Sequence, residues 1–372
     1  MDDVIELLQQ LVAIDSVNSS LVKGAAGEAG IARFVAGWAR GEGLGVEVLD
    51  DNVIVRSGGS SSDGRKLLLC GHLDTVGTGG MADPLVPRID GDRLYGRGAY
   101  DMKGGLAAAL IACRDAARRG VKGEVIVAAV ADEEYGSEGV QRILPHVEAD
   151  AAIVNEPTEL TVATAHKGFI WTEITITGKA AHGSRPHLGV DAILKAGPVL
   201  LALDELDQQM RTRTHPLLGS GNLHGSLISG GREESTIPDR CVITVERRYL
   251  PGDTLLALER AIEDLLAECR DADSELEVSA KTTFVRRPLE TPHDTEVLPV
   301  LMAAAKDVTG ARPKIAGASY WADSAFISAA GIPTVLYGPG GEGAHADVEW
   351  VSIAETVACA RTLTETAVNF CG

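Results

Sequence analysis

Lys66-Leu67-Leu68-Leu69-Cys70-Gly71-His72-Leu73-Asp74-Thr75-Val76 reads as a buried strand that delivers a histidine and an aspartate, two residues apart, at its end. Downstream, Gly96-Arg97-Gly98-Ala99-Tyr100-Asp101-Met102-Lys103-Gly104-Gly105 brings a second aspartate through a glycine-rich loop, just before a helix of small residues. A further apolar run, Val125 to Val130, ends in Asp132-Glu133-Glu134, and the short run Ala151 to Val154 ends in Asn155-Glu156-Pro157. Near the C-terminus Gly338-Pro339-Gly340-Gly341 precedes Ala344-His345-Ala346-Asp347. Imidazole nitrogens and carboxylate oxygens gathered at strand ends are the donor set of a divalent-metal hydrolytic site.

Taken one at a time, these residues have ordinary explanations. A lone strand-end histidine is usually a hydrogen-bonded structural residue, an acidic pair such as Glu133-Glu134 is usually solvated, and Gly-Pro-Gly is usually a turn. Five sites that all place His, Asp or Glu where a sheet opens are not expected by chance.

The composition limits the function classes. The chain has 372 residues, 45% hydrophobic and 23% charged, enough for two domains and a large core. Its 53 acidic against 34 basic residues leave a formal net charge of −19. That balance argues against nucleic acid or an anionic membrane as partner, since both require a basic footprint. No apolar run approaches the ~18 residues of a membrane span, and Met1-Asp2-Asp3-Val4-Ile5-Glu6 lacks the basic start of a signal peptide. The cysteines at 70, 113, 241, 269, 359 and 371 show no CxxC spacing, so free thiols in a reducing cytoplasm are expected.

Periodicity predicts helices over 2–14 and 28–41, strands near 45–49 and 52–56, a Gly/Ser-rich turn from Ser57 to Gly64, and then the strand ending at His72. A helix follows over 104–119 and a buried strand over 124–130. This alternation predicts an α/β domain with a mixed, largely parallel sheet, whose sites form beyond the carboxyl ends of strands. From about 170 the order becomes strand 171–177, helix 190–206, strands 222–229 and 240–248, helix 254–269 and strand 276–284. That is the βαββαβ order of an α+β ferredoxin-like unit. Helix 294–308, strand 332–336 and helix 351–368 then resume the first pattern. Because His345 lies in the returning segment, the second unit is an insertion. The expected division is a discontinuous metal-binding domain of 1–176 and 288–372, with 177–287 inserted as a lid and dimerisation domain.

The segments GHLDTV, YGRGAYDMKGG, ADEEYGSEG, VNEPT, GKAAHGSRPHLGVDAI and GPGGEGAHADVEWV resemble, in order and spacing, the M20 metallopeptidase family. That family contains acetylornithine deacetylases, succinyl-diaminopimelate desuccinylases, aminoacylases and glutamate carboxypeptidases. The resemblance runs from about residue 5 to 368 and implies a two-metal site. His72, Asp101 and Glu156 would hold one ion. Glu134, His345 and the same Asp101, acting as a bridge, would hold the other. The ions would be Zn²⁺, with Co²⁺ or Mn²⁺ as alternatives. Asp74 would hydrogen-bond the His72 imidazole and set its tautomer, and a cis peptide would follow Asp101. Glu133 would be the general base, since adjacent residues leaving a strand point apart and Glu134 is taken as a ligand. His182 would stabilise the oxyanion, in many members from the partner subunit of a homodimer.

Asn222, Arg248 and the turn Gly338-Pro339-Gly340 resemble the family's substrate-orienting elements, with the Arg248 guanidinium suited to a free α-carboxylate. Ser235-Thr236-Ile237-Pro238 stands where Asn-x-Ile-Pro is frequent, and Ala318 to Asp323 departs from the desuccinylase pattern, so acyl group and side-chain preference stay open. The resemblance implies a cytoplasmic amidohydrolase that deacylates small N-acyl-L-amino acids. Carboxypeptidase or dipeptidase action on short peptides is the alternative. A metal-binding scaffold without catalysis is a remote third, since such a protein should have lost Glu133, Asp101 or His182.

Overall fold

Leu7, Leu8, Leu11 and Val12 recur at helical spacing and form the buried stripe of the helix Asp3–Val12 (α1). Next come the helix Ala29–Gly41 (α2) and the strands Gly45–Leu49 (β1), Asn52–Arg56 (β2) and Lys66–His72 (β3). The chain then forms Gly104–Arg119 (α3), Glu124–Val130 (β4), Ala151–Val154 (β5) and Val162–His166 (β6). The inserted elements are Gly168–Thr177 (β7), Ala192–Met210 (α4), Asn222–Gly230 (β8), Arg240–Tyr249 (β9), Leu255–Ala272 (α5) and Glu277–Arg286 (β10). Val297–Thr309 (α6), Thr334–Leu336 (β11) and Ile353–Cys371 (α7) complete the chain. The computed structural model describes residues 2–59, 61 and 64–372; Ser60, Ser62 and Asp63 of the expected Ser57–Gly64 turn lie outside the described residues.

Two units emerge. The first comprises the chain up to Thr164, Thr291–Ala316 and Ala322–Gly372, and the second Ala165–Glu290 with Gly317–Trp321. These limits differ from the expected division at 176/177 and 287/288 mainly in giving β7 to the second unit. β7 is an interior strand of the second sheet, so it cannot be shared out to the first unit.

In the first unit the sheet order is β1-β2-β4-β3-β5-β11-β6. Its centre is parallel: β3 runs with β4 and β5, and β11 runs with β5. Its margins are antiparallel, through β1/β2, β2/β4 and β11/β6. Register is what assembles the site. His72 pairs with Val130 and Cys70 with Val154, so three parallel strands finish within two residues of one another and release their polar residues at the same end of the sheet. β3, β4 and β5 are almost wholly buried, as expected of central parallel strands.

α3 is buried nearly all round, which explains its run of Gly, Ala and Leu. A Cβ on Gly105 would collide with the Asn155 carbonyl, so only glycine lets the start of α3 lie against the end of β5. The helix ends at Gly120, whose φ of 69° is the left-handed cap that glycine adopts without a Cβ penalty. Its leucines join those of α1, α6 and α7 in one core, and each fully buried leucine contributes about 1.5–3 kcal/mol relative to exposure.

A small second sheet of Arg88–Asp90, Arg93–Tyr95, Gly341–Glu342 and Trp350–Ser352 was not anticipated, because strands of two or three residues show no periodicity. It pairs Tyr95 with Trp350 and so joins the segments leading to Asp101 and from His345.

The second unit has the expected βαββαβ order, with sheet order β8-β9-β7-β10 and every pair antiparallel. Ile174, Ile176, Ile243 and Val245 face α4 and α5 and form its core. All six cysteines are free and buried. Among the described residues no helix is long and apolar enough to cross a membrane.

Candidate metal centre

His72 ends β3 almost fully buried. Its Nδ1 lies 2.9 Å from the Asp74 backbone carbonyl, which accepts the ring proton and leaves the Nε2 lone pair for a ligand. Nε2 faces Asp101 Oδ1 at 3.3 Å. The other oxygen of Asp101, Oδ2, lies 3.4 Å from His345 Nε2, and that nitrogen lies 3.0 Å from Glu134 Oε2. One carboxylate therefore turns each of its oxygens to a different imidazole. His72, Asp101 and Glu134 offer ligand atoms all within 4.8 Å of one another. The expected cis peptide is present at Asp101-Met102.

The spacing fits a metal. Two ligands about 2.0–2.1 Å from one tetrahedral zinc stand about 3.3–3.4 Å apart, and the observed separations of 3.0, 3.3 and 3.4 Å are near that edge length. Glu156 is buried at the end of β5, and its charge acts on His72, Asp101 and Glu134.

The electrostatics describe a site with surplus negative charge. Burial, together with the charges of Glu156, Asp323 and Glu134, pushes the Glu133 carboxyl well above its ordinary range against the pull of His72. Burial likewise raises Glu134 and Glu156. Hydrogen bonds to Asp101 and Glu134 push the His345 imidazole up to about 10. Burial opposes ionisation of Asp101, but the hydrogen bonds from His345 and His72 hold it well below the usual carboxylate range.

Asp74 meets the His72 imidazole, as expected, but through its backbone carbonyl. Its carboxylate Oδ1 is 3.6 Å from His72 Nδ1, farther than its own carbonyl. The carboxylate is occupied elsewhere. It accepts the backbone N–H of Glu133 at 3.2 Å and of Glu134 at 3.1 Å, and the Asn18 side-chain amide at 2.9 Å. Asp74 thus sets the ring tautomer through its backbone and holds the Glu133-Glu134 turn through its side chain. Asn18 also donates to Asp132 Oδ1 at 3.0 Å, tying the same turn down from the other side. Nothing in its local sequence marks Asn18 as part of the site.

The Gly338-Pro339-Gly340 turn is also revised. The Gly338 carbonyl accepts from Leu160 N at 3.0 Å and Thr158 Oγ1 at 3.2 Å, which fills both lone pairs. Gly340 donates to Glu355 at 2.7 Å, and its carbonyl accepts from Ser352 at 2.9 Å. A Cβ at Gly338 would strike the Glu156 carbonyl. These groups are used in backing the Glu156 segment, which leaves no backbone group of Gly338 for a substrate.

The second unit holds the remaining candidates. His182 is exposed on a short strand paired with Thr236–Ile237. Its Nδ1 accepts the Ser184 backbone N–H at 3.2 Å, so in the neutral ring the proton resides on Nε2. Asn222 and Arg248 stand directly opposite each other on β8 and β9, hence on one face of the sheet. Arg248 Nε donates to Glu246 at 2.7 Å, and its guanidinium lies 4.6 Å over the Phe169 ring. The planar fork of terminal amino groups is the part a carboxylate would meet. Sequence reading missed the cluster around it. Phe169, Trp171 and Phe284 stack at 4.7–5.8 Å between ring centres, and Trp321 meets Phe169 edge-on at 6.1 Å.

The chain is similar to known proteins in sequence and in fold. The profile of the peptidase family M20/M25/M40 matches residues 68–369. An acetylornithine deacetylase of Myxococcus xanthus is 31% identical over 330 residues, covering 86% of this chain and 84% of that protein. An acetylornithine deacetylase of Proteus mirabilis is 29% identical, covering 99% of this chain and 96% of its own. Among solved structures, a dinuclear metal-binding M20 peptidase from Bacillus subtilis superposes with a TM-score of 0.76 at 15% identity, covering 99% of this chain and 97% of the other.

Proposed function

The chain belongs to the peptidase family M20/M25/M40, and from that premise we propose that it is a dinuclear metal-dependent amide hydrolase that deacylates N-acyl-L-amino acids. The observation that carries the hydrolytic part is Asp101, set between His72 and His345 with one oxygen toward each. Two divalent ions held by these residues with Glu134 and Glu156 would polarise the scissile carbonyl and acidify an attacking water. Zinc suits the donor set, with cobalt and manganese as alternatives.

Glu133 takes the proton from the attacking water and passes it to the departing nitrogen, so the C–N bond breaks to a carboxylate and a free amino acid. His182 presents Nε2–H to the developing oxyanion. Arg248, with Asn222 beside it, grips the α-carboxylate. The acetylornithine deacetylases at about 30% identity support the acylated amino acid as substrate class. A screen of acetyl-, succinyl- and formyl-amino acids and dipeptides, each with Zn²⁺, Co²⁺ and Mn²⁺, tests the reading. Cleavage confined to dipeptides would replace deacylase with peptidase.

His182 and Arg248 are expected to fail differently. A donor aimed at a charge that appears only in the transition state acts on turnover, so His182→Ala lowers kcat by about 10²–10³-fold with little change in KM. Arg248 holds a charge already present in the ground state, so Arg248→Met chiefly raises KM. Steady-state kinetics on an N-acyl amino acid and its carboxamide check this. Equal hydrolysis of the two by the unaltered enzyme would remove the carboxylate clamp.

The protein is also read as a homodimer working in a reducing cytoplasm, which the six buried free thiols suit. Leu194 and Leu201 on α4 are 74% and 70% exposed, and Leu227 on the edge strand β8 is 71% exposed. An apolar helix face beside an unpaired strand edge suits two-fold pairing. Light scattering at micromolar concentration is expected to give twice the chain mass, and a monomer there rejects the dimer.

A further inference from the structure

Arg97 and Glu349 form an ion pair of 2.7 Å, with side chains only 2% and 1% exposed. Neither was singled out in the sequence, and neither bears a metal-ligating atom of the centre. Their side-chain hydrogen bonds among the described residues run toward it. Glu349 Oε1 accepts the backbone N–H of Asp101 at 3.1 Å and of Tyr100 at 2.9 Å. Oε2 accepts the N–H of Gly98 at 3.0 Å as well as Arg97 Nη1. The second arm of Arg97, Nη2, donates to the carbonyl of Ala346 at 2.9 Å, one residue beyond His345. His345 itself sits at a φ of 63°, a conformation that a non-glycine side chain holds only when its surroundings impose it.

A buried ion pair is weak evidence for stability, because desolvation offsets much of the attraction. Here Arg97 Nε finds no acceptor among the described residues, so the pair is incompletely satisfied. Its geometry has another use. One side chain holds the Asp101 backbone, the other holds the His345 turn, and the short contact between them joins the two.

We infer that Arg97 and Glu349 are a pair of positioning residues that lock the Asp101 loop to the His345 turn and thereby set how tightly the ion shared by Asp101, Glu134 and His345 is held. This rests on the two-ion reading above. Outer groups that orient ligands typically change metal affinity by about 10–100-fold when removed.

The test strips the protein of metal and titrates it with Zn²⁺ against a chromogenic chelator. Thermal unfolding of the metal-free forms is followed in parallel. Arg97→Lys keeps the buried charge but offers one nitrogen where arginine spans two acceptors. It is expected to weaken one of the two ions by about 10–100-fold and leave the other at its original affinity. Glu349→Gln replaces an acceptor of the Asp101 N–H, and because Asp101 is shared it is expected to weaken both ions. Unchanged affinities in Arg97→Lys overturn the inference, including when the metal-free variant melts lower, since that is a purely structural role. Equal weakening of both ions in Arg97→Lys also overturns it. If Glu349→Gln does not fold, Arg97→Lys decides alone. An unaltered protein that takes up fewer than two ions overturns the two-ion reading, and this inference with it.

Discussion

Asp101→Ala is expected to remove both ions and take hydrolysis to background while the fold persists. No other proposed ligand is shared, and its two oxygens face His72 at 3.3 Å and His345 at 3.4 Å. Losing it leaves each ion short of one anionic donor and leaves the two imidazoles without their common partner. The fold has separate support, since the Asp101 backbone N–H still donates to Glu349 and α3 is buried along most of its length. Elemental analysis after gel filtration, with circular dichroism on the same sample, measures both halves. Asp101→Asn sharpens the result, because an amide offers a single neutral oxygen and cannot serve two ions. Two ions still tightly bound in Asp101→Ala would end the bridging assignment.

Glu133→Ala should separate chemistry from binding. A positioned general base contributes about 10²–10⁴-fold, so kcat falls at least that far while metal content stays at the level of the unaltered protein. The neighbouring Glu134 keeps its place in the variant, because its backbone N–H is held at 3.1 Å by Asp74 and not by the Glu133 side chain. Metal lost in step with activity would make Glu133 a ligand and exchange the roles of the pair.

Much of this was readable before any coordinates. The strand ending at His72, the helix over 104–119 and the strand over 124–130 follow from unbroken apolar runs and an alanine-rich segment bounded by glycines. The βαββαβ insertion follows from the switch of periodicity near 170. Segments too short to show a period were missed. The sheet joining Arg93–Tyr95 to Trp350–Ser352 and the helix Ser324–Ala329 are examples. The partner of a side chain was harder still. Asp74 was placed correctly at the edge, but its carboxylate bonds the Glu133-Glu134 turn instead of the imidazole. The Gly-Pro-Gly turn was noticed, yet the backbone groups of Gly338 and Gly340 bond Thr158, Leu160, Ser352 and Glu355.

The order of apolar runs along the chain determined by itself that this protein has a sheet with His72, Glu134 and Glu156 at one edge, and an inserted second unit. Strand and helix periodicity are local, and hydrophobic burial acts on them whatever lies far away. The family resemblance likewise rests on motifs that are each a short run of neighbouring residues. Only the tertiary structure decided that Asp101 turns one oxygen to each imidazole. It also decided that Arg97 meets Glu349 across 252 residues, and that Asn18 reaches Asp74 across 56. These contacts depend on strand register, on rotamers and on the packing of segments remote in sequence. No window of neighbouring residues contains that information, because the free energy that selects each contact belongs to the assembled core.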